Sequence, residues 1–283
     1  MINFVITEVC NWECEYCLFP KIKNKKHTSI EKIEKHYRYI NEIIKKLDFP
    51  VSVQGGEIGL VPVNILECFF SKINKPIDVS TNGEFLKRNI HNNPIIKPKI
   101  NKILLHVTNN IQEKININFD IENSICGIVD ISNNPIEIKK FIEKNKHIYF
   151  EYIDYDNGIY DEIKPHSHFD LYEAIKNLNN VSNWAKERLT TRFDKNLKEC
   201  QNQCMRLHPC IFVDLVNEKI PLCIRNYNTV YKELNKENLI ETIKGINSFD
   251  YTNNTCKSCI RICKDEGIGL PQIKNKMLYR RKL

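Results

Sequence analysis

The sequence predicts an α/β fold: a partial, TIM-like (β/α)6 barrel carrying a small Cys-rich C-terminal extension that contains a β-hairpin. Three observations lead there. Six short runs rich in β-branched and aromatic residues alternate with segments of helical periodicity over the first half of the chain. No run approaches the roughly 18 consecutive apolar residues of a membrane span. The 12 cysteines are unevenly placed, one group inside residues 10–17, a second inside residues 200–263, and only Cys68 and Cys126 between them. The expected division is a barrel core over residues 1–165, then a linker helix and the Cys-rich extension over 166–283.

The strands read as Asn3–Thr7, Val51–Gln54, Ile77–Ser80, Ile103–Val107, Ile125–Ile131 and His147–Ile153. Between the first two lies a helix. Thr28 and Glu31 fit a capping box, and Ile30, Ile33, Tyr37, Ile40, Ile44 and Leu47 recur at the spacing that places them on one face. Pro62 and Pro135 suit the first turns of further helices, and Glu84–His91 has a weaker helical pattern. Strands separated by helices pair in parallel, and reactive groups then belong where strands end and loops begin. In the second half, residues 210–223 alternate apolar residues around Asn217-Glu218, the pattern of a hairpin with a thiol at each end.

At 283 residues, 42% apolar and 27% charged, the chain has ordinary globular composition and can bury a sizeable core. Its net charge of +7 arises in a background rich in Lys, Asn and Ile, so charge alone implies no nucleic-acid partner. Polar residues Asn3, Glu8 and Glu13 interrupt the apolar runs of a would-be signal peptide. The expectation is a cytoplasmic protein with no membrane partner. In that reducing compartment thiols are ligands or nucleophiles rather than disulfides.

The first thiol group is Cys10-Asn-Trp-Glu-Cys14-Glu-Tyr16-Cys17. Three thiolates cannot fill the four positions of a structural zinc or iron site, but they can hold three irons of a [4Fe-4S] cube and leave the fourth open to another ligand. A half zinc site or a chance cluster is the plainer alternative. The CxxxCxxC spacing, with an aromatic residue before the third Cys, resembles that of the radical S-adenosylmethionine (SAM) superfamily. Gln54-Gly55-Gly56-Glu57 at the end of the second strand and Ser80-Thr81-Asn82-Gly83 at the end of the third resemble two further motifs of that family, in the same order. The resemblance covers about residues 1–155. Ile58 stands where the family usually has Pro.

The resemblance implies that Cys10, Cys14 and Cys17 hold a [4Fe-4S] cluster whose open iron binds SAM, and that an electron from an external donor such as flavodoxin or ferredoxin cleaves SAM to methionine and a 5′-deoxyadenosyl radical. It implies SAM contacts from Tyr16, Gly55, Gly56, Glu57, Ser80 and Asn82, with Glu57 near the SAM ammonium. Cys204, Cys210 and Cys223, with the Cys256, Cys259 and Cys263 triplet, resemble the SPASM and twitch extensions and imply at least one auxiliary [4Fe-4S] cluster. Cys200 belongs to the same group of thiols. The short CxxCxxxC ending at Cys263 departs from the SPASM pattern, and a four-Cys zinc site is the alternative there.

Blander readings attach to other residues. Cys68 and Cys126 read as small core hydrophobes, His208 as a loop residue, and Lys21–His27 and Tyr279–Lys282 as exposed basic segments. The acidic loop 154–162 follows the sixth strand, where a barrel admits its substrate. Within the family the extension accompanies maturation of peptides or proteins and dehydrogenation of small alcohols. Ile224 follows Cys223 where sulfatase-maturing enzymes carry an acidic base. With the first strand at the N-terminus, no separate leader-peptide-binding domain is expected. The expected activity is hydrogen abstraction from a substrate C–H bond, in peptide or protein maturation or on a small alcohol or sugar-like metabolite. The rival from another class is a non-catalytic iron-sulfur or zinc protein.

Overall fold

The computed structural model describes residues 1–13, 22–107, 124–129, 135–146, 149–154, 165–183, 185–186, 211–221 and 231–245. They fall into two compact units, one containing the chain up to Asn101 together with residues 211–221 and 231–245, the other containing Lys102 to Lys186.

In the first unit β1 (Ile2–Val5), β2 (Val51–Gln54) and β3 (Ile77–Thr81) pair side by side in parallel. Helix α1 (Ile30–Leu47) connects β1 to β2, and α2 (Val63–Lys72) connects β2 to β3. The residues after β3 form α3 (Glu84–Lys87) and two short 3-10 turns. On the other side of β1 lies β7 (Ile211–Asp214), also parallel to it, followed by antiparallel β8 (Lys219–Pro221) and β9 (Tyr231–Glu233), with α6 (Lys236–Gly245) after them.

Register makes the sheet two-faced. Ile2, Val51, Ile77 and Ile211 form one row and Phe4, Val53, Val79 and Val213 the next, all buried. Phe4 meets Phe69 of α2 edge-on at 5.2 Å, so this is the face covered by helix. Alternate residues point the other way. There Asn3, Ser52 and Asp78 share a row, with Asn3 hydrogen-bonded to Ser52, and half-buried Gln54 and Ser80 lie further along the same face.

The hairpin expected in the extension is present, but β7 is the direct neighbour of β1 and belongs to the same sheet. All four of its residues are buried, as in a strand covered on both faces. Its turn is locked to the N-terminal half of the unit. Glu218, at φ 51, accepts from Lys35 Nζ at 2.7 Å and hydrogen-bonds the buried His36 ring at 2.9 Å, and Lys32 Nζ donates to the Val216 carbonyl at 2.5 Å. The Thr28 hydroxyl donates to the Leu215 carbonyl at 2.8 Å. That contact corrects the expected capping box: with Thr28 engaged there, Ser29 caps α1 and accepts from Lys32 N. Cys68 also departs from expectation. It is partly exposed, because Leu66, Phe69 and Phe70 fill the buried side of α2.

In the second unit β4 (Ile100–Val107, paired from Ile103), β5 (Ser124–Val129) and β6 (Phe150–Asp154) are parallel neighbours. Helices α4 (Pro135–Lys144) and α5 (Pro165–Ile175) supply Ile138, Ile142, Leu171 and Ile175 to a core shared with Leu105, Phe150 and Val181. Pro135 opens α4, and Pro62 caps α2 from just outside its first residue. The six strands read from the sequence are all present, and the architecture is α/β with a mostly parallel strand arrangement. Among the described residues no helix is long and apolar enough to cross a membrane.

Candidate functional site

The candidate site is built where β1, β2 and β3 end. Beyond β1 the chain runs extended to Cys10, fixed from one side by a bridge between Thr7 and His27, whose side chains meet at 2.8 Å. From the other side the loop after β2 continues the parallel pairing: Gly56 N donates to the Thr7 carbonyl at 2.8 Å and Glu57 N to the Val9 carbonyl at 2.7 Å. The two glycines are needed for that approach. A Cβ on Gly55, at φ +139, would sit 2.5 Å from the Thr7 oxygen, and one on Gly56 would sit 2.2 Å from the Val9 oxygen. The space over these glycines is thus filled by the chain that carries Cys10.

Glu57 is 1% exposed and joins two loops. Its Oε1 accepts from Gly59 N at 2.8 Å and from the Thr81 hydroxyl at 2.6 Å, and its Oε2 accepts from Asn82 N at 2.6 Å. Burial pushes the carboxyl pKa up, and the Asn82 N–H, the Thr81 hydroxyl and the Gly59 and Phe85 N–H groups oppose that shift. The carboxylate expected beside the SAM ammonium is therefore hydrogen-bonded by its own chain at both oxygens.

Asn82 completes the arrangement. Its Nδ2 donates to Cys10 Sγ at 3.8 Å and to Asn11 Oδ1 at 2.9 Å, while its Oδ1 accepts from Glu84 N at 3.3 Å. Cys10 Sγ also accepts from Trp12 N at 3.4 Å. Cys10, Gly55, Gly56, Glu57 and Asn82 are thus brought together from three strand ends. Ser80 is not part of this network; its neighbour Thr81 reaches Glu57 instead. Cys14, Tyr16, Cys17, Cys200, Cys204, Cys210, Cys223, Cys256, Cys259 and Cys263 lie outside the described residues, as does most of the acidic loop after β6.

A second polar cluster stands beside it at the end of β7. Asp214 is fully buried and its Oδ1 accepts from Val216 N at 2.9 Å and Asn217 N at 3.1 Å. The Asn217 amide donates to Asp214 Oδ2 at 3.0 Å and to Glu8 Oε1 at 2.6 Å. Lys219 Nζ lies 3.9 Å from Asp214 Oδ2, and burial lowers its pKa against the pull of Asp214 and Glu8. This cluster fixes the hairpin turn and ties it to the segment leading to Cys10.

No protein-family model matches the chain. No curated protein matches it either. A solved structure, BtrN in complex with AdoMet and 2-DOIA, is similar over 94% of this chain and 87% of its own, at 15% identity and a TM-score of 0.43.

The residues themselves do fit an iron ligand at Cys10. Two N–H groups converge on its sulfur, which suits a thiolate carrying negative charge. The buried Gln54 Nε2, at the end of β2, has no hydrogen-bond partner among the described residues. Among those residues no three His, Cys, Asp or Glu side chains gather as a ligand set, Cys10 being the single described member of its motif. Asn11 and Gly59 were not among the expected site residues, and Thr81 entered only as part of the Ser80–Gly83 segment. A Cβ on Gly59 would lie 2.3 Å from Phe85 N, so its signal was a third glycine two residues beyond Glu57.

Proposed function

We propose that this chain is a radical SAM enzyme, with Cys10, Cys14 and Cys17 holding a [4Fe-4S] cluster whose open iron takes SAM. The observation that supports the reading is the meeting of Cys10, Gly55-Gly56-Glu57 and Thr81-Asn82 at one end of a parallel sheet, joined by hydrogen bonds across three separate loops. A loaded site supplies reductive cleavage of SAM and hydrogen abstraction from a substrate C–H bond. The chain's own groups position that chemistry. Trp12 N and the Asn82 amide orient and polarise the Cys10 sulfur, Glu57 holds the β2 and β3 loops in register, and the Gln54 amide offers a donor to a ligand.

Electrons come from an external donor such as flavodoxin or ferredoxin. Cys204, Cys210, Cys223, Cys256, Cys259 and Cys263 bind at least one auxiliary [4Fe-4S] cluster, and the protein works in the cytoplasm on a peptide or protein. A second substrate class, a small alcohol or sugar-like metabolite, is favoured by the half-buried polar residues Gln54 and Ser80 toward the site end of the polar sheet face, which suit a hydroxyl-rich ligand. The test is anaerobic reconstitution followed by dithionite and SAM. Formation of 5′-deoxyadenosine, abolished when Cys10, Cys14 and Cys17 are replaced by Ala, is the expected result. The triple variant should stay brown, with about four irons per chain. A parental rate of SAM cleavage in that variant refutes the assignment, and a colourless, zinc-containing variant removes the auxiliary cluster.

A further inference from the structure

The Asn82 side chain has each of its groups engaged. Its Oδ1 takes the Glu84 N–H, which orients the amide so that Nδ2 faces Cys10 Sγ and Asn11 Oδ1. Its backbone N–H is held by Glu57 Oε2 at 2.6 Å, and Glu57 N in turn holds the Val9 carbonyl, one residue before Cys10. The contacts therefore close a ring from Cys10 through Asn82 and Glu57 to Val9 and back. At 8% exposure the amide is sheltered from water, where a hydrogen bond to sulfur has the most effect.

We propose that Asn82 is a positioning residue for the thiolate: by donating to Cys10 Sγ it holds the Cys10–Asn11 segment and raises the reduction potential of the iron site that Cys10 ligates. This rests on the radical SAM reading above. Reduction adds negative charge to a thiolate-ligated cluster, and a donor aimed at a ligand sulfur stabilises the more negative state. Trp12 N supplies a second donor to the same sulfur. Unlike that backbone group, the Asn82 amide can be removed by substitution. The role differs from the SAM contact that the family resemblance implied for this residue, because here both N–H groups of the amide are directed at the chain.

The test compares the parental protein with Asn82→Ala and Asn82→Asp, each reconstituted without oxygen. Asn82→Asp keeps the shape and the acceptor for Glu84 N but replaces the donor with a charge, so it remains informative if Asn82→Ala folds poorly. Iron content and SAM affinity are measured, and the midpoint potential of the SAM-responsive cluster is read by EPR-monitored titration. The expected result is a shift to more negative potential in both variants, larger for Asn82→Asp, with SAM affinity changed less than tenfold. An unchanged potential at full iron loading overturns the inference, and unchanged potential with lost SAM affinity assigns Asn82 to the cofactor instead. A parental protein with no SAM-responsive cluster overturns the functional reading, and this inference with it.

Discussion

Glu57→Gln separates two roles for the acidic residue of the Gly-Gly-Glu segment. Glutamine keeps one acceptor. With its oxygen in the Oε1 position it retains Gly59 N and the Thr81 hydroxyl, but its NH2 then faces Asn82 N across a contact that was 2.6 Å. The other orientation loses two bonds rather than one. The cost of a lost charge-assisted bond and a buried, unsatisfied N–H is about 1–3 kcal/mol. Removing a charge that burial disfavours returns part of this. A net loss of about 1–2 kcal/mol, roughly a 5- to 30-fold change in the folding equilibrium, is the expectation. It is read as the urea midpoint of protein free of both metal and SAM, followed by far-UV circular dichroism. A carboxylate that served only a bound ammonium would leave that midpoint where it was. An unchanged midpoint with weakened SAM binding would refute the loop-joining role.

Two further outcomes follow from the structure. Gly56→Ala pushes a Cβ to within 2.2 Å of the Val9 carbonyl, so the Cys10 segment must shift; under the proposed function, iron loading at the N-terminal thiols should fall while iron on the C-terminal thiols is retained, as read by metal analysis with and without the three N-terminal thiols. Glu218 is held by Lys35 and His36 at a pKa of about 2, below its ordinary 4.5. A depressed carboxyl pKa contributes stability that is complete above the unfolded value and is lost as pH falls from 4.5 toward 2. For this partly solvated group the contribution is about 1–2 kcal/mol. Urea titrations at pH 6 and pH 3 should show the loss in the parental protein and much less of it in Glu218→Gln.

What the sequence made legible was local. Val51–Gln54 is bracketed by Pro50 and Gly55, so its bounds needed only punctuation and β-branching, and β2 has those bounds. The meeting of Cys10, Gly55-Gly56-Glu57 and Asn82 was legible because strand ends in a parallel sheet collect on one side. The place of β7 was not legible. Residues 211–221 carry a hairpin pattern, which fixes a turn and two strands but says nothing of which other strand accepts the outer edge. That edge is paired to β1 across the length of the chain. The capping residue of α1 was misread for a similar reason, since the choice between Thr28 and Ser29 is made by a carbonyl at position 215. Glu57 illustrates the same limit in the site. A motif gives the residue and its neighbourhood, while two of the three donors that occupy its carboxylate come from Thr81 and Asn82 in another loop.

The pairing of β1 with β7 has a consequence for biosynthesis. Residues 2–5 leave the ribosome before β2 and β3, which can join them from the next stretch of chain, but the opposite edge must wait for residues 211–214. At 5–20 residues per second that interval is about 10–40 s. During it an apolar strand presents an unpaired backbone edge beside the segment that carries Cys10, an arrangement that invites pairing with other chains. Arrival of Asn217 at Glu8 and of Leu215 at Thr28 ends the exposure in one step, because both contacts close from the same turn. Assembly of the Gly-Gly-Glu and Thr-Asn-Gly loops against the Cys10 segment is therefore separable in time from closure of the other side of β1, which waits for β7, the first of the three later strands of this sheet.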